Sequence, residues 1–466
     1  MTGIQKDNLQ QSLSARGVAD ALDAKLWLGD KGIEDIECIT PDIAGVPRGK
    51  MMPSPKFLGS TALAFPTSVF MQTISGEYPE ESDTFEYPAT DGDLRLQPDL
   101  STLSRVPWET DPTAQVICDI VSHTGATIDY GPRSVLKRVV AAYADKGWKP
   151  VIAPEMEFYL VQAEGDPNQP LQAPIGRSGR RLGGGSSYSI ASINEFDDLI
   201  DDIYDFSEAQ GLEIETLIHE EGAGQLEINL NHGDPLELAD QVFMFKRTIR
   251  EAALKHGMYA TFMAKPIQSQ PGSAMHIHQS VVDLESGKNI FSNAEGKESE
   301  LFHSFIGGLQ RYLPNTLVMM APYVNSYRRL TTGGSAPVNV QWGYDNRTTG
   351  LRVPTSEPEA RRVENRIPSS DTNPYLAIAG SLAAGYLGMV GGLKPEPAVT
   401  TTANEGQIDL PRGLLEAVQL LEDEEALVPL LGSDFISVYA AIKKQEFETF
   451  MRVISPWERE YLLMNA

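Results

Sequence analysis

The spacing of apolar and polar residues changes near residue 125 of the chain. Before that point, residues 34–40, 65–74 and 115–121 are short segments rich in β-branched and aromatic residues, with turn residues between them. Such segments are typical of strands. The run 41–50 contains two prolines and two glycines, which predicts a turn between strands. The sequence therefore predicts a small β-rich N-terminal domain over residues 1–125.

From residue 130 onward, helical periodicity alternates with strand-like segments. Residues 132–143 carry apolar side chains at helical spacing behind an initial proline, and residues 151–160 indicate a strand. Residues 414–463 show helical periodicity with many charges, which is typical of amphipathic surface helices. We find no internal repeat and no long linker, so we predict a second, larger domain over residues 126–466.

Two further segments need a specific interpretation. Residues 176–187 are rich in Gly, Arg and Ser, which predicts a mobile surface loop. Residues 375–393 lack formal charges, but five glycines interrupt them, and a membrane-spanning helix is normally richer in large apolar residues. We interpret that segment as a buried helix.

Composition and charge exclude several classes of protein. A hydrophobic content of 41% argues against a disordered chain, and a formal net charge of −26 argues against a binder of nucleic-acid backbone. Cys38 and Cys118 are the only cysteines, too few for a disulfide framework. With a polar start that lacks a signal-peptide core, these features predict a cytoplasmic protein.

Ionisable residues interrupt two of the predicted strands. Glu155 and Glu157 alternate with apolar residues, so both lie on one face of their strand. His276, His278 and Ser280 share a face of another strand for the same reason. Either segment alone could be an ordinary solvent-facing strand.

A third such segment makes a metal site the better interpretation. Glu227 lies within an apolar strand pattern, and Glu220 precedes it by seven residues. Because buried carboxylates are costly unless they are paired or bound to a metal, several of them indicate a cation site. Carboxylate oxygens with an occasional imidazole suit Mg²⁺ or Mn²⁺.

Arginines cluster between residues 328 and 366. This window contains seven arginines, four acidic residues and no lysine, a local charge of +3 in an acidic chain. The guanidinium group binds carboxylates and phosphates in bidentate fashion, although structural ion pairs could account for two or three of these residues. Carboxylates and arginines together predict a site for a nucleotide phosphate and an acidic substrate.

Several motifs occur in the order found in one family. Residues 265–280, with the run GSAMHIHQS, resemble the ATP-region signature of the glutamine synthetases. Residues 325–330 (NSYRRL) resemble their NSYKRL segment. Residues 361–366 (RRVENR), followed by NPYL at 373–376, resemble a further segment of that family. The resemblance covers residues 30–460.

This resemblance implies specific roles for residues that occupy the family's positions. The ligands of one metal would be Glu157, Glu220 and Glu227, and those of the second would be Glu155, His276 and Glu364. The contacts to ATP would be Glu215, His278, Ser280 and Arg352. The contacts to substrate glutamate would be Gly272, Arg329 and Arg366, and Arg347 would lie beside the transferred phosphate.

The resemblance also implies a fold and an assembly. It implies an α+β protein with an N-terminal β-grasp domain and a large catalytic domain on a curved antiparallel sheet. Family members form homo-oligomeric double rings, commonly dodecamers, with active sites between subunits. The implied reaction uses ATP and Mg²⁺ or Mn²⁺ to form γ-glutamyl phosphate, which an amine converts to an amide.

The sequence departs from the family where ammonia is handled. Ser335 replaces the flap glutamate, Pro271 replaces an asparagine, and residues 65–72 offer no counterpart of the ammonium-binding aspartate. Because a carboxylate attracts NH₄⁺ and accepts its proton, these losses favour an organic amine as acceptor. The same pattern is found in the γ-glutamylpolyamine synthetase subgroup, which includes glutamate–putrescine ligases.

The acceptor could then be a polyamine such as putrescine, or a monoamine. A glutamine synthetase with an atypical flap and a non-catalytic ring-forming relative stay open as alternatives. Two further departures concern control and nucleotide binding. Ile408 stands where bacterial glutamine synthetases have the adenylylated tyrosine, and Glu359 stands where the family has a lysine that contacts ATP.

Overall fold

The computed structural model describes residues 15–59, 63–81, 85, 90–331, 336–403 and 409–466. Ser335 and Ile408 therefore lie outside the described residues. The strands are β1 (Asp35–Pro41), β2 (Pro47–Pro53), β3 (Leu63–Pro66), β4 (Asp93–Pro98), β5 (Ser104–Arg105), β6 (Thr113–Val121), β7 (Trp148–Gln162), β8 (Ile214–His219), β9 (Gln225–Leu230), β10 (Met258–Thr261), β11 (Met275–Asp283), β12 (Trp342–Tyr344), β13 (Leu351–Val353) and β14 (Val363–Asn365).

The α-helices are α1 (Ala21–Asp30), α2 (Ser54–Phe57), α3 (Pro132–Ala144), α4 (Ile190–Ile193), α5 (Asp197–Gln210), α6 (Pro235–Lys255), α7 (Glu300–Met320), α8 (Val324–Arg329), α9 (Pro374–Gly391), α10 (Leu414–Asp423), α11 (Val428–Leu431), α12 (Ser433–Met451) and α13 (Pro456–Leu462). Short 3-10 helices occupy Thr67–Met71, Leu100–Thr102, Asn194–Phe196, Pro358–Ala360 and Glu425–Leu427.

The N-terminal strands form one mixed sheet. Its order is β2-β1-β6-β4-β3, with β5 also paired to β6. The central pair β1 and β6 runs parallel, and the flanking pairs run antiparallel. Helix α1 buries Trp27 and Leu28 in the same apolar cluster as Ile36 and Cys38 of β1. A parallel central pair with antiparallel flanks agrees with the predicted β-grasp domain.

The remaining strands form a second sheet that carries the site residues. Its order is β12-β13-β14-β11-β7-β9-β8, and β10 also pairs with β7. Every pair is antiparallel except β12 and β13, so the sheet departs from the predicted antiparallel pattern at that end. Helices α3 and α6 pack on β7, and α9 packs on α3, α6 and α7. The α+β class is confirmed.

Helix α9 is the segment interpreted above as buried. Among the described residues it is the one unbroken helix long and apolar enough to cross a membrane, and 78% of it is buried inside the protein. Its glycines permit close packing: a Cβ on Gly388 would lie 2.2 Å from the carbonyl oxygen of Ser304 in α7. The small residues thus let two core helices approach each other, as a buried helix requires.

Arg133, at the start of α3, joins the two sheets. Its guanidinium group is 3% exposed and donates to Asp240 of α6 at 2.8 and 2.9 Å. It also donates to Asp119 of β6 at 2.6 Å and to Asp99 at 2.9 Å. One buried arginine therefore pairs with carboxylates from both parts of the molecule, which fixes how the N-terminal sheet sits on the helices.

Two predicted segments differ from the structure. The predicted strand over 65–74 ends at Pro66, because the next residues form a 3-10 helix in which Ser68 donates its backbone N–H and its hydroxyl to Asp91, both at 2.9 Å. Helix α12 is more deeply packed than a surface helix, since Lys443 and Glu446 form a buried ion pair at 2.7 Å. The segment 176–187 lacks helix and strand, as predicted, and its mobility stays a prediction.

Candidate active site

The site is organised around the long strand β7. Glu155 lies opposite His276 of β11, and Glu157 lies opposite Glu227 of β9. The two glutamates therefore alternate with apolar residues along β7, as predicted, and each lies beside an ionisable residue of a neighbouring strand.

Glu155 is held by two imidazole rings. Its carboxylate lies 3.2 Å from Nδ1 of His276 and 2.8 Å from Nε2 of His278. Arg362 donates its Nε–H to Nδ1 of His278 at 3.2 Å, so the neutral ring of His278 carries its proton on Nε2 and donates it to Glu155. Burial acts to raise the pKa of Glu155, but the hydrogen bonds from both histidines outweigh it and the pKa falls well below its usual range.

Glu364 lies on the adjacent strand β14 and is 1% exposed. Arg352 donates to it at 2.7 Å, Arg366 donates to its other oxygen, and Nδ1 of His276 lies 3.9 Å away. Burial acts to raise its pKa, but the charges of His276 and Arg366 lower it overall. Glu364 is therefore an ionised carboxylate beside Glu155 and His276.

Glu157, Glu220 and Glu227 form a second group of carboxylates, in which burial and mutual repulsion disfavour the ionised forms. Burial raises the pKa of Glu157 to about 7, although the backbone N–H of Ala274 donates to it at 2.9 Å. Burial and the charges of Glu155, Glu157 and Glu220 raise the pKa of Glu227 to about 9. Burial also raises the pKa of Glu220, which directly follows β8. A divalent cation would stabilise all three in their ionised form.

Two sets of these side chains have a geometry that fits metal ions. Ligand atoms of Glu155, Glu227 and His276 lie within 4.8 Å of one another, and so do those of Glu155, His278 and Glu364. Carboxylate oxygens with imidazole nitrogen suit Mg²⁺ or Mn²⁺. The two sets share Glu155 and group the residues differently from the two predicted triads. The predicted assignment of ligands to each metal stays a prediction.

A cavity of about 450 Å³ opens beside Glu157 and Glu220; we call it the arginine cavity. Glu157, Glu220, Glu221, Gly272, Arg329 and Arg366 are among the residues that line it. Arg329 is buried and donates to the carbonyl oxygens of Ile367 at 2.8 Å and Arg366 at 3.0 Å. Nε of Arg366 is buried and has no acceptor among the described residues. The cavity thus offers fixed cationic donors to an anionic ligand.

Gly272 is required by the wall of the arginine cavity. A Cβ at this position would lie 2.7 Å from the side chain of Arg329 and 2.7 Å from the carbonyl oxygen of Ala264. Only a glycine lets the backbone pass this close to the arginine. The structure therefore brings Gly272, Arg329 and Arg366 together at one cavity, and their contact with substrate glutamate stays a prediction.

Glu155 lines a second cavity, of about 500 Å³, and its carboxylate lies 3.2 Å from His276, which lines the first; we call this second one the Ser280 cavity. Glu155, Glu215, His278, Ser280, Glu359 and Arg362 are among the residues that line it. Glu215 reaches it from an irregularity in β8, because the register with β9 shifts between Ile214 and Thr216.

The other two predicted arginines lie apart from the cavity walls. Arg352 is held by Glu364 and by Asp345, to which its Nε donates at 3.1 Å. Arg347 is exposed in the turn after β12, and its positive charge acts to lower the pKa of Glu220. Arg347 therefore lies within electrostatic reach of the acidic residues.

Comparisons with known proteins identify the family of this chain. Residues 129–462 match the family described as "Glutamine synthetase, catalytic domain". Gamma-glutamylputrescine synthetase PuuA of Escherichia coli (strain K12) is 34% identical over 466 residues, covering 98% of each chain. The chain belongs to the glutamine synthetase family.

Other members of the glutamine synthetase family point to amine ligation. Glutamate–isopropylamine ligase of Pseudomonas sp is 33% identical over 456 residues, covering 96% of this chain and 98% of the relative. A solved complex of GmaS with ADP superposes with a TM-score of 0.80 at 28% identity, covering 96% of this chain and 100% of that one. The predicted family and subgroup are confirmed, and the relatives favour glutamate–amine ligation over glutamine synthesis.

The sequence analysis missed some residues of this site. Gln225 donates to Glu157 at 3.1 Å and to the carbonyl oxygen of Gly272 at 3.0 Å. Asn229 lines the Ser280 cavity, with a buried Oδ1 that lacks a partner within the described ranges. Both lie two residues from Glu227 in β9 and therefore on the same face of the strand, so strand periodicity could have identified them. The contact of Arg362 with His278 spans 84 residues and has no such local signal.

Proposed function

We propose that this protein is an ATP-dependent carbon–nitrogen ligase that joins glutamate to an organic amine through γ-glutamyl phosphate. The observation that carries the proposal is the arrangement of the two cavities. They meet at the Glu155–His276 pair, so a phosphate donor bound in one and an acid bound in the other would face each other across the metal-binding carboxylates.

The Ser280 cavity is the proposed nucleotide site. Glu215, His278 and Ser280 line it and would contact ATP. Arg352, which donates to Glu364, is the fourth proposed ATP contact. Glu359 also lines this cavity, so a carboxylate occupies a place where the family has a cation. At that place the nucleotide would have to donate a hydrogen bond to the carboxylate of Glu359.

The arginine cavity is the proposed glutamate site. Arg329 and Arg366 would bind the carboxylates of the substrate beside the backbone of Gly272, because fixed guanidinium groups bind such anions strongly. The free Nε of Arg366 supports this assignment. Arg347 would neutralise the transferred phosphate.

Mg²⁺ or Mn²⁺ would be held by the predicted ligands Glu157, Glu220 and Glu227 on one side and Glu155, His276 and Glu364 on the other. When bound, these ions would neutralise phosphate charge and polarise the acyl oxygen. The oxygen-rich donor sets described above support the assignment.

The proposed reaction has two steps. The γ-carboxylate oxygen of glutamate attacks the terminal phosphorus of ATP, and the bond to ADP breaks. The amine nitrogen then attacks the acyl carbon, the bond to phosphate breaks, and the amine loses a proton as the amide forms. Arginines that hold both anions in place lower the barrier by positioning and charge stabilisation.

We propose further that the protein is cytoplasmic and forms the dodecameric double ring of its family, with residues 1–125 and 126–466 as its two domains. Exposed apolar side chains at the C-terminal end support self-association. They include Ile454, Trp457, Tyr461, Leu463 and Met464.

The test is phosphate release that depends on ATP, glutamate and Mg²⁺ or Mn²⁺, measured across a panel of amines that includes ammonium. We expect one organic amine to exceed ammonium clearly. Preference for ammonium would contradict the proposal and support glutamine synthesis. Glu220→Ala should abolish turnover and leave the assembly intact, whereas Glu208→Ala, an exposed residue of α5, should leave turnover unchanged.

A further inference from the structure

The arginine cavity contains one carboxylate to which the proposed reaction gives no role. Glu157 and Glu220 are proposed metal ligands, and Arg329 and Arg366 are proposed to bind glutamate. Glu221 also lines the cavity. Its side chain has no hydrogen bond or ion pair with any residue that the structure describes.

Glu221 lies on a turn with a fixed backbone. In the connection between β8 and β9, Glu220 donates its N–H to the carbonyl oxygen of Gln225 at 2.9 Å, and Gly185 donates to the carbonyl oxygen of Glu221 at 2.8 Å. The next residue packs against Tyr159, since a Cβ on Gly222 would lie 1.9 Å from the tyrosine hydroxyl oxygen. A residue on such a turn can determine specificity because its backbone does not need to be ordered by the ligand.

Glu221 faces the part of the cavity where the sequence departs from its family. The hydroxyl group of Tyr159 donates to the carbonyl oxygen of Pro271 at 2.9 Å. Burial and the charges of Glu157 and Glu221 raise the pKa of that hydroxyl group. Pro271 is one of the positions that argue against ammonia as acceptor. Glu221 therefore borders the space available to a larger amine.

The charge of Glu221 limits which amines fit well. An alkyl tail placed against it would remove an ionised carboxylate from water with no partner, which is unfavourable. A second ammonium group at the end of the tail would instead form an ion pair with it. The overall charge of −26 also favours cationic ligands.

We propose that Glu221 determines specificity by binding the distal ammonium group of a diamine or polyamine, whose other amino group attacks the γ-glutamyl phosphate. This inference rests on the proposed ligase function and narrows its substrate class. Glu221 is a specificity residue here, and the bond-forming chemistry is the same for every amine.

The test compares three primary amines with the same four-carbon chain: 1,4-diaminobutane, 4-amino-1-butanol and n-butylamine. For the wild-type protein, kcat/KM for the diamine should exceed that for butylamine by about tenfold or more, which corresponds to about 1.4 kcal/mol. Glu221→Gln should lower kcat/KM for the diamine about tenfold, mainly through KM, and change the butylamine value less than about twofold. Glu221→Asp should retain part of the preference because it keeps the charge.

Three outcomes would overturn the inference. Equal losses for all three acceptors would assign Glu221 a structural or proton-accepting role. An aminobutanol value equal to the diamine value would show that hydrogen bonding suffices without charge. A diamine preference that survives Glu221→Gln would place the recognition elsewhere. Glu208→Gln makes the same charge change at an exposed residue of α5 that does not line the cavity, and it controls for long-range attraction.

Failure of this inference is distinguishable from failure of the proposed function. If organic amines are used without preference for the diamine, the ligase function holds and the role of Glu221 is wrong. If ammonium alone supports phosphate release, the proposed ligation of organic amines is itself wrong.

Discussion

Glu227 shows how burial and neighbouring charge change the behaviour of a single side chain. Its pKa is raised to about 9, and that of Glu157 to about 7, because both are buried close to other carboxylates. On the same face of β7, hydrogen bonds from two histidines shift the pKa of Glu155 in the opposite direction. Glutamates of one site thus differ in charge at neutral pH, and a bound cation would favour the ionised form of all of them.

Metal binding should therefore release protons. At pH 7 the metal-free Glu227 is mostly protonated, and a bound Mg²⁺ or Mn²⁺ requires its ionised form, so apparent affinity should rise as pH rises towards 9. Titration calorimetry at pH 7 in two buffers of different ionisation enthalpy should give different apparent enthalpies. Glu227→Gln should reduce this difference. Identical enthalpies in both buffers for the wild-type protein would contradict the raised pKa.

At the scale of elements, strand register brings the site residues together, and a buried lysine holds the turn that contacts one of them. Lys246 of α6 donates to the carbonyl oxygens of Ser370 at 2.6 Å and Thr372 at 2.7 Å. Ser370 in turn donates its hydroxyl to the backbone oxygen of Glu157. A helix therefore fixes the turn that positions a proposed metal ligand.

Lys246→Met should lower the melting temperature, because two buried carbonyl groups lose their donor at a cost of about 1–3 kcal/mol. The effect should depend on pH. Burial and the charge of Arg250 lower the pKa of Lys246 to about 7 in the folded protein, from 10.5 in the unfolded chain. Between these values the unfolded chain holds a proton that the folded protein has released, so stability rises with pH.

The advantage of the wild-type protein over Lys246→Met should accordingly grow from pH 7 to pH 10. Thermal unfolding of both proteins at several pH values measures it. A difference that stays constant would mean that the buried lysine is charged throughout this range.

At the scale of the whole molecule, apolar residues near the C-terminus are left exposed in the single chain. Trp457 and Tyr461 pack against each other on α13, with ring centroids 5.4 Å apart, yet they are 61% and 50% exposed. An apolar group of this kind on a highly charged protein is typical of an association surface.

Trp457→Asp should lower the assembled mass if this surface joins subunits, because a charge would have to be buried in the contact. Mass photometry of the wild-type and variant proteins measures the change. Glu460→Gln, on the same helix, should leave the mass unaltered. An assembled mass that is the same for Trp457→Asp and wild type would mean that α13 lies outside the subunit interfaces.

The sequence by itself determined the local structure and the identity of most site residues. Strand alternation placed Glu155 with Glu157 and His276 with His278, because side-chain direction in a strand has a period of two residues. The motifs gave the family, and the departures at Pro271 and Ser335 favoured an organic amine. These features depend on neighbours along the chain, so they can be read without the fold.

Only the tertiary structure decided which distant groups meet. The bond from Arg362 to His278, the exposed carboxylate of Glu221 in the arginine cavity and the raised pKa of Glu227 depend on register and burial. The predicted strand over 65–74 also failed at this level, because contacts of Ser68 with Asp91 replaced local preference. Such contacts join residues far apart in the chain, and no local pattern encodes them.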